Sequence, residues 1–170
     1  MTTSAQENLL DWLRDAHAME MQAEQMLTTT AKRLEHYPEL KARIEEHITE
    51  TKEQAKLVEQ CLERLGADIS TLKDVGGKMM ALTQGLSGMF VTDEVVKASI
   101  ASYVFEHMEI ASYRALIAAA EMAGDTTTIQ VCQQILPQEE AMAKWLEEHL
   151  PSTVQKFLTL DEKEGATAKR

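Results

Sequence analysis

Glu20, Glu50, Glu106 and Glu139 fall on or beside the apolar stripes of four successive long segments of this 170-residue chain. A carboxylate removed from water costs on the order of several kcal/mol unless it is paired or bound to a metal. Acids converging from four helices are the usual way a bundle builds a two-metal site. The local spacing agrees with that chemistry. Glu106 and Glu109 stand three residues apart, as do His47 and Glu50, and Glu50 and Glu53. On a helix this places both members on one face, where they can reach the same ion or neighbouring ions. Hard carboxylate oxygens with an occasional imidazole suit iron or manganese, and zinc also fits such a set. A pair of ions bridged by carboxylates can act on oxygen or peroxide. Tyr103 and Tyr113 share the helix face of Glu106, where they would orient ligands or supply electrons.

A plainer reading stands beside this one. The chain holds 28 acids, so some fall near an apolar stripe by chance. Glu20 or Glu109 taken singly reads as a solvated helix flank, His47 as a satisfied core histidine, and the two tyrosines as packing. His36 and His149 lie near helix ends and read as solvent-facing or as partners of the helix dipole. His17 and His107 fit either a supporting role or the surface. What favours a site is the joint pattern of an acid near the middle of each of four stripes.

The elements that must position these residues are helices. Only 7 Gly and 3 Pro interrupt a chain rich in Ala, Leu, Met, Glu, Gln and Lys, all good helix formers. The first segment is expected to start at a Ser4 cap with Glu7 three residues on, a capping-box pattern. Its stripe runs Leu9, Leu13, Ala16, Glu20, Ala23, Leu27, Ala31, Leu34. A turn at His36-Tyr37-Pro38 follows, with Pro38 suited to the first turn of the second helix. That helix carries Leu40, Ile44, His47, Thr51, Gln54, Val58, Cys61 and Leu65, polar in its centre, and Gly66 stops it. Glycines at 76, 77, 85 and 88 mark a long connection containing a short irregular helix. Such a connection is long enough to cross the bundle, so that the second and third helices run parallel.

The third helix is expected to start at Thr92 or Asp93 and to end at Gly124, with the stripe Val96, Ile100, Tyr103, Glu106, Ile110, Tyr113, Ile117, Ala120. The fourth follows Asp125 and Thr126 with Ile129, Cys132, Leu136, Glu139, Ala143, Leu146 and Leu150. Pro137 should kink or split it, and Pro151 should end it. A short final helix from Ser152 to Leu160 and a polar tail over 161–170 complete the chain. One domain over residues 1–160 follows, and the class is all-α. No solenoid repeat is present, although His17-x-x-Glu20, His47-x-x-Glu50 and Glu106-x-x-Glu109 echo one another.

Bulk composition excludes several function classes. The net charge is −11, which repels nucleic-acid backbones and anionic membranes. No run of eighteen apolar residues is present, so no membrane-spanning helix is expected. The start MTTSAQENLL has neither a basic region nor an apolar signal core. The two cysteines, Cys61 and Cys132, lack metal-type spacing and read as reduced core thiols of a cytoplasmic protein.

At the acid-bearing stretches the chain resembles the YciE/YciF-type stress proteins of the ferritin-like superfamily. The matching segments are DAHAMEMQAEQML, EEHITETKEQAKLVEQCLERLG, FEHMEIASYRAL and CQQILPQEEAMAKWLEEHLP, of which EHMEIASY is the most specific. The resemblance spans roughly residues 8–151. It implies a rubrerythrin-like (ferritin-like) four-helix bundle, usually a homodimer, with a carboxylate-rich di-metal centre between its helices. The ligand candidates carried over are Glu20, His47, Glu50, Glu106, Glu109 and Glu139, with Glu53 and Glu140 as weaker ones. Where the usual pattern has Glu-x-x-His on two helices, this chain has His47-x-x-Glu50 and Glu139-x-x-Met142, which puts the second metal position in doubt. CxxC pairs of the rubredoxin type are absent, so a reductant would be external.

The expectation is therefore a stress-response protein holding two metal ions, iron first and manganese or zinc as alternatives, and acting on a small oxidant. Glu50 and Glu139 would bridge the ions, and Glu20, Glu106 and Glu109 would cap them. The competing expectation is a non-enzymatic dimerising or client-binding scaffold, with Met79, Met80, Met89 and Phe90 of the crossover as its contact surface.

Overall fold

The structure is a computed structural model, and it describes residues 3–67 and 95–163. Four helices account for nearly all of them: α1 (Ser4–Arg33), α2 (Pro38–Arg64), α3 (Val95–Ala123) and α4 (Thr126–Asp161). The expected start of the third helix at Thr92 or Asp93, the short crossover helix, the Met-rich contact surface and most of the polar tail lie outside the described residues.

The helix ends follow from local chemistry. Thr3, not Ser4, caps α1. Its hydroxyl accepts from the Gln6 backbone, and the Gln6 side chain accepts from the Thr3 backbone. Thr3/Gln6 and Ser4/Glu7 are overlapping capping boxes one residue apart, so the sequence signal is degenerate. Pro38 opens α2, where its missing N–H costs nothing. Helices α2 and α3 both end in Schellman motifs. Gly66 and Gly124 adopt positive φ of 77° and 72°. Ala67 N–H bonds the Leu62 carbonyl, and Asp125 N–H bonds that of Ala120. Asp125 then caps α4 through the Thr128 backbone.

Helix α4 overturns the expected break. It runs unbroken through Pro137 and Pro151 to Asp161, so residues 152–160 are helical but continue the same helix. Both prolines are exposed, as are Gln133 and Glu147, the residues whose carbonyls lose their donors. Water can take those positions. Meanwhile Ile135, Glu139 and Met142 stay buried on the opposite side, and Thr153 does so beyond Pro151. Packing on one face holds what the backbone alone would release.

Each helix buries residues at alternating steps of four and three. The rows are Leu9, Leu13, Ala16, Glu20, Ala23, Leu27 on α1 and Leu40, Ile44, His47, Thr51, Gln54, Val58, Cys61 on α2. On α3 they are Val95, Ser99, Ser102, Glu106, Glu109, Tyr113, Leu116, Ala120, and on α4 Thr128, Cys132, Ile135, Glu139, Met142, Leu146. This is the seam of left-handed bundle packing. The expected α3 stripe was out of phase at several positions. Ile100 is exposed and Val96, Tyr103 and Ile117 are only half-buried, while Ser99 and Ser102 turn inward. Helix α3 is apolar nearly all round, so hydropathy alone could not choose its inner face. On α4, Ile129, Leu136 and Leu150 similarly yield to Thr128, Ile135 and Met142.

The most extensive packing is between α3 and α4, then α1 and α2, then α1 and α3, with a smaller contact between α2 and α4. Arg64 at the end of α2 reaches Asp125 and Thr128 at the start of α4. Lys156 near the end of α4 lies over the Tyr37 ring at the start of α2, 5.3 Å from its centroid. Helices α2 and α4 are therefore antiparallel. Since α3 and α4 form a hairpin, α2 and α3 run parallel, so α3 begins at the end of the bundle opposite to that at which α2 ends. A helix of the length of α3 spans about 40 Å.

Candidate metal centre

The inward rows bring Glu20, His47, Glu106, Glu109 and Glu139 to mid-bundle, one or two from each helix. All five are closed to solvent. Ligand atoms of His47, Glu106, Glu109 and Glu139 all lie within 4.8 Å of one another. His47 Nε2 approaches Glu106 Oε2 at 3.1 Å and Glu139 Oε2 at 3.5 Å. These are charge contacts without hydrogen-bond alignment, because Nε2 and Glu106 Oε2 both remain unpartnered by that measure. Glu20 comes from α1. Its Oε1 accepts the hydroxyl of Tyr113, and its charge is felt by Glu109, Glu106 and Glu139.

Glu50 is placed differently. Its side chain retains 23% of its exposure. It binds His47 Nδ1 at 2.7 Å from the outer side, and Arg43 approaches it at 3.3 Å. With the Nδ1 proton held by Glu50, loss of the Nε2 proton would leave the Nε2 lone pair toward Glu106 and Glu139, the arrangement that orients a histidine ligand. Glu140 is exposed and paired with Arg114, and Glu53 is exposed near Lys56, so α4 brings Glu139 rather than Glu140 inward. His17 is half-buried, while His107 is exposed and packs edge-on against Tyr103.

The electrostatics show how costly the group is. Burial, then Glu139, pushes the Glu20 carboxyl well above the usual carboxylate range, and Tyr113 only partly opposes this. Burial, then Glu139 and Glu20, does the same to Glu109. Burial lifts Glu106 to about 7 against the pull of His47. For His47, burial disfavours the charge, but contacts with Glu106, Glu139 and Glu50 outweigh it and hold the imidazolium up to about 12. Glu50 is pulled below its ordinary value, since His47 and Arg43 outweigh its partial burial.

The donor set can be tested for a cation on these side chains alone. Glu20 Oε2, Glu106 Oε2, both oxygens of Glu109 and both of Glu139 are buried and have no hydrogen-bond donor. Unpartnered buried carboxylate oxygens are strongly unfavourable, and a hard cation is the partner that would satisfy several at once. The residues fit such a group.

Two supports were not singled out in the sequence. Arg43 lies four residues before His47 and seven before Glu50, a same-face spacing that could have flagged it. Gln54 is fully buried and donates to Gln138 across α2 and α4 at 2.9 Å. The polar centre of the α2 stripe was its signal.

The family model described as a domain of unknown function, DUF892, matches residues 4–159. The chain belongs to that family. A crystal structure of a protein from Xanthomonas campestris pv. campestris is 45% identical, with 94% of this chain and 100% of that one aligned and a TM-score of 0.80. The E. coli stress protein YciF is 23% identical over 92% of this chain and 99% of its own, with a TM-score of 0.77. YcfI from Rhodopseudomonas palustris is 23% identical over 86% and 94%, with a TM-score of 0.68. The last two show the shared helical bundle. The DUF892 match and these neighbours agree with the YciE/YciF-type resemblance in the sequence. Among the described residues no helix is long and apolar enough to cross a membrane.

Proposed function

We propose that this protein is a ferritin-like metal–carboxylate protein whose bundle core holds a pair of iron or manganese ions, with zinc as an alternative. The observation that carries this reading is the set of six buried carboxylate oxygens without a donor, gathered from α1, α3 and α4 around one imidazole from α2. His47, Glu106, Glu109 and Glu139 would hold one ion, and Glu20, with the remaining oxygens of Glu109 and Glu139, would hold the second. Glu50 holds His47 in place rather than bridging.

When bound, such ions supply Lewis acidity and redox capacity toward oxygen or a peroxide. The chain's own contribution is to keep the site dry, to fix His47 through Glu50 and Arg43, and to hold Glu20 through Tyr113. The reductant would come from outside the chain. We further propose a role in the bacterial stress response, supported by the stress-protein name of a neighbour that shares the bundle, with the protein acting in the cytoplasm as a homodimer.

The test is elemental analysis of protein made in iron-supplemented cells, with thermal unfolding of metal-free and reloaded samples. About two equivalents per chain and a rise in Tm on loading are expected, since a ligand of the folded state alone stabilises it. Failure of any divalent metal to bind or to stabilise would refute the reading. A second reading, a dimerising or client-binding scaffold, is favoured by one observation: Ile100, Val104 and Met122 present apolar surface along the outside of α3. It predicts stability indifferent to metal and a self-association lost on Val104→Glu.

A further inference from the structure

Cys61 and Cys132 belong neither to the acid group nor to its supports. Both are free and buried in the core, Cys61 on α2 and Cys132 on α4. The register of this antiparallel pair is fixed on the page. From Gln54 to Arg64 helix α2 advances ten residues, while α4 retreats ten from Gln138 to Thr128, and both pairs are bonded. Cys61 lies three residues inside Arg64, and Cys132 four residues inside Thr128. The two thiols therefore occupy one level, and Cys61, seven residues from Gln54, and Cys132, four from Thr128, fall on the faces by which the two helices bond each other. Burial, and after it the charge of Cys61, raises the Cys132 thiol. Helices packed about 8–10 Å apart place facing Cα atoms roughly 4–6 Å apart, within the span of a disulfide.

We propose that Cys61 and Cys132 are a redox-active dithiol that closes into an α2–α4 disulfide when a hydroperoxide reaches it. The pair sits one turn below the bundle end closed by Arg64, Asp125 and Thr128, a depth a water-sized peroxide can reach as that end frays. Burial raises both thiols, Cys132 to about 12, but at Cys61 the Thr128 hydroxyl and the Arg64 guanidinium partly offset that rise, so Cys61 ionises and attacks first. Its sulfur bonds one peroxide oxygen as the O–O bond breaks. The second oxygen leaves as water, or as an alcohol from an organic peroxide, carrying the thiol proton. The Cys132 sulfur then displaces the hydroxyl of the Cys61 sulfenic acid, forming the S–S bond and releasing water with its own proton. The peroxide gains two electrons, one from each sulfur. The bridge closes a loop of chain that contains α3 and ties two helices whose mutual contact is sparse.

The test uses the full chain, reduced and treated with a chelator, so it does not depend on the metal reading. After hydrogen peroxide, alkylation and mass mapping, the expected product is monomeric protein lighter by two hydrogens, with Cys61 and Cys132 peptides joined. Its Tm should rise by on the order of 10 °C and return with dithiothreitol. In Cys132→Ala, dimedone should trap a sulfenic acid on Cys61. In Cys61→Ala, Cys132 should remain unmodified. Both thiols still alkylating, at a dose that oxidises the exposed Met122 to its sulfoxide, would overturn the proposal. A bridge formed only between chains would do the same.

Discussion

Tyr113 on α3 donates its hydroxyl to Oε1 of Glu20 on α1 at the centre of the bundle, and neither side chain touches solvent. The bond fixes one oxygen of Glu20 and leaves Oε2 without a donor, turned among Glu106, Glu109 and Glu139. One phenol thereby aligns the single acid that α1 contributes.

Tyr113→Phe keeps the ring and removes the donor. The metal-free variant should lose about 1–3 kcal/mol, the usual cost of orphaning a buried acceptor. Urea denaturation reads this directly. Its metal affinity should fall as well, because Glu20 would no longer be oriented. Unchanged stability would mean that the bond does not form in solution.

Glu109→Gln separates a metal site from a merely tolerated acid. Both Glu109 oxygens are buried and unpartnered, and burial drives the carboxyl toward its neutral form. Replacing it with a neutral amide of the same shape should raise the Tm of the metal-free protein. The same change should remove most of the stabilisation that metal confers on the parent. The two effects have opposite signs, so a general packing defect cannot imitate them.

The pH dependence of the metal-free protein follows from the shifted groups. Glu106 titrates at about 7 in the folded chain against an ordinary 4.5. Between those values the folded state binds more protons than the unfolded one, so stability falls as pH rises through that window. His47, raised from 6.5 to about 12, has the same sign at higher pH. Asp125, lowered by its Thr128 and Arg64 bonds against partial burial, acts oppositely, its contribution fading as pH drops below 4. Metal-free protein should therefore melt higher at pH 5.5 than at pH 8. Metal-induced stabilisation should increase over the same interval, because ligands must shed protons to bind. Calorimetry at the two pH values, with and without metal, tests both trends.

Pro151→Ala examines the continuity of α4. Proline in a helix interior costs up to about 3 kcal/mol relative to alanine. Position 151 is exposed, so no packing is lost. The variant should gain about 1–3 kcal/mol in denaturant unfolding and slightly more helical ellipticity. No change in either would indicate that the helix ends at that residue in solution.

Much of the fold was legible because its signals are local. Gly66 and Gly124 stop helices where only glycine easily adopts positive φ, and Pro38 starts one where its missing donor is harmless. On α1 every residue of the expected stripe, Glu20 included, is buried, because polar residues on the other faces leave one possible inner side. On α3 the same reading slipped, since a helix apolar all round offers no contrast, and the inner row was set by what α1 and α4 could accept. The prolines of α4 misled for a related reason: their backbone cost is local, while the packing that outweighs it comes from other helices.

The sequence by itself determined that helices form, roughly where they begin and end, and that each carries an acid or histidine near its middle. Periodicity along one chain is sufficient for that. It could not show which of those groups meet. Glu109 read singly as a flank and lies at the centre, whereas Glu50 read as a bridge and stands at the rim behind His47. Only tertiary packing decided this, because the rotation of each helix about its axis is fixed by its neighbours, and a turn of one residue exchanges buried for exposed. Three such rotations, those of α2, α3 and α4, set together, bring carboxylates from separate helices within 4.8 Å of one imidazole.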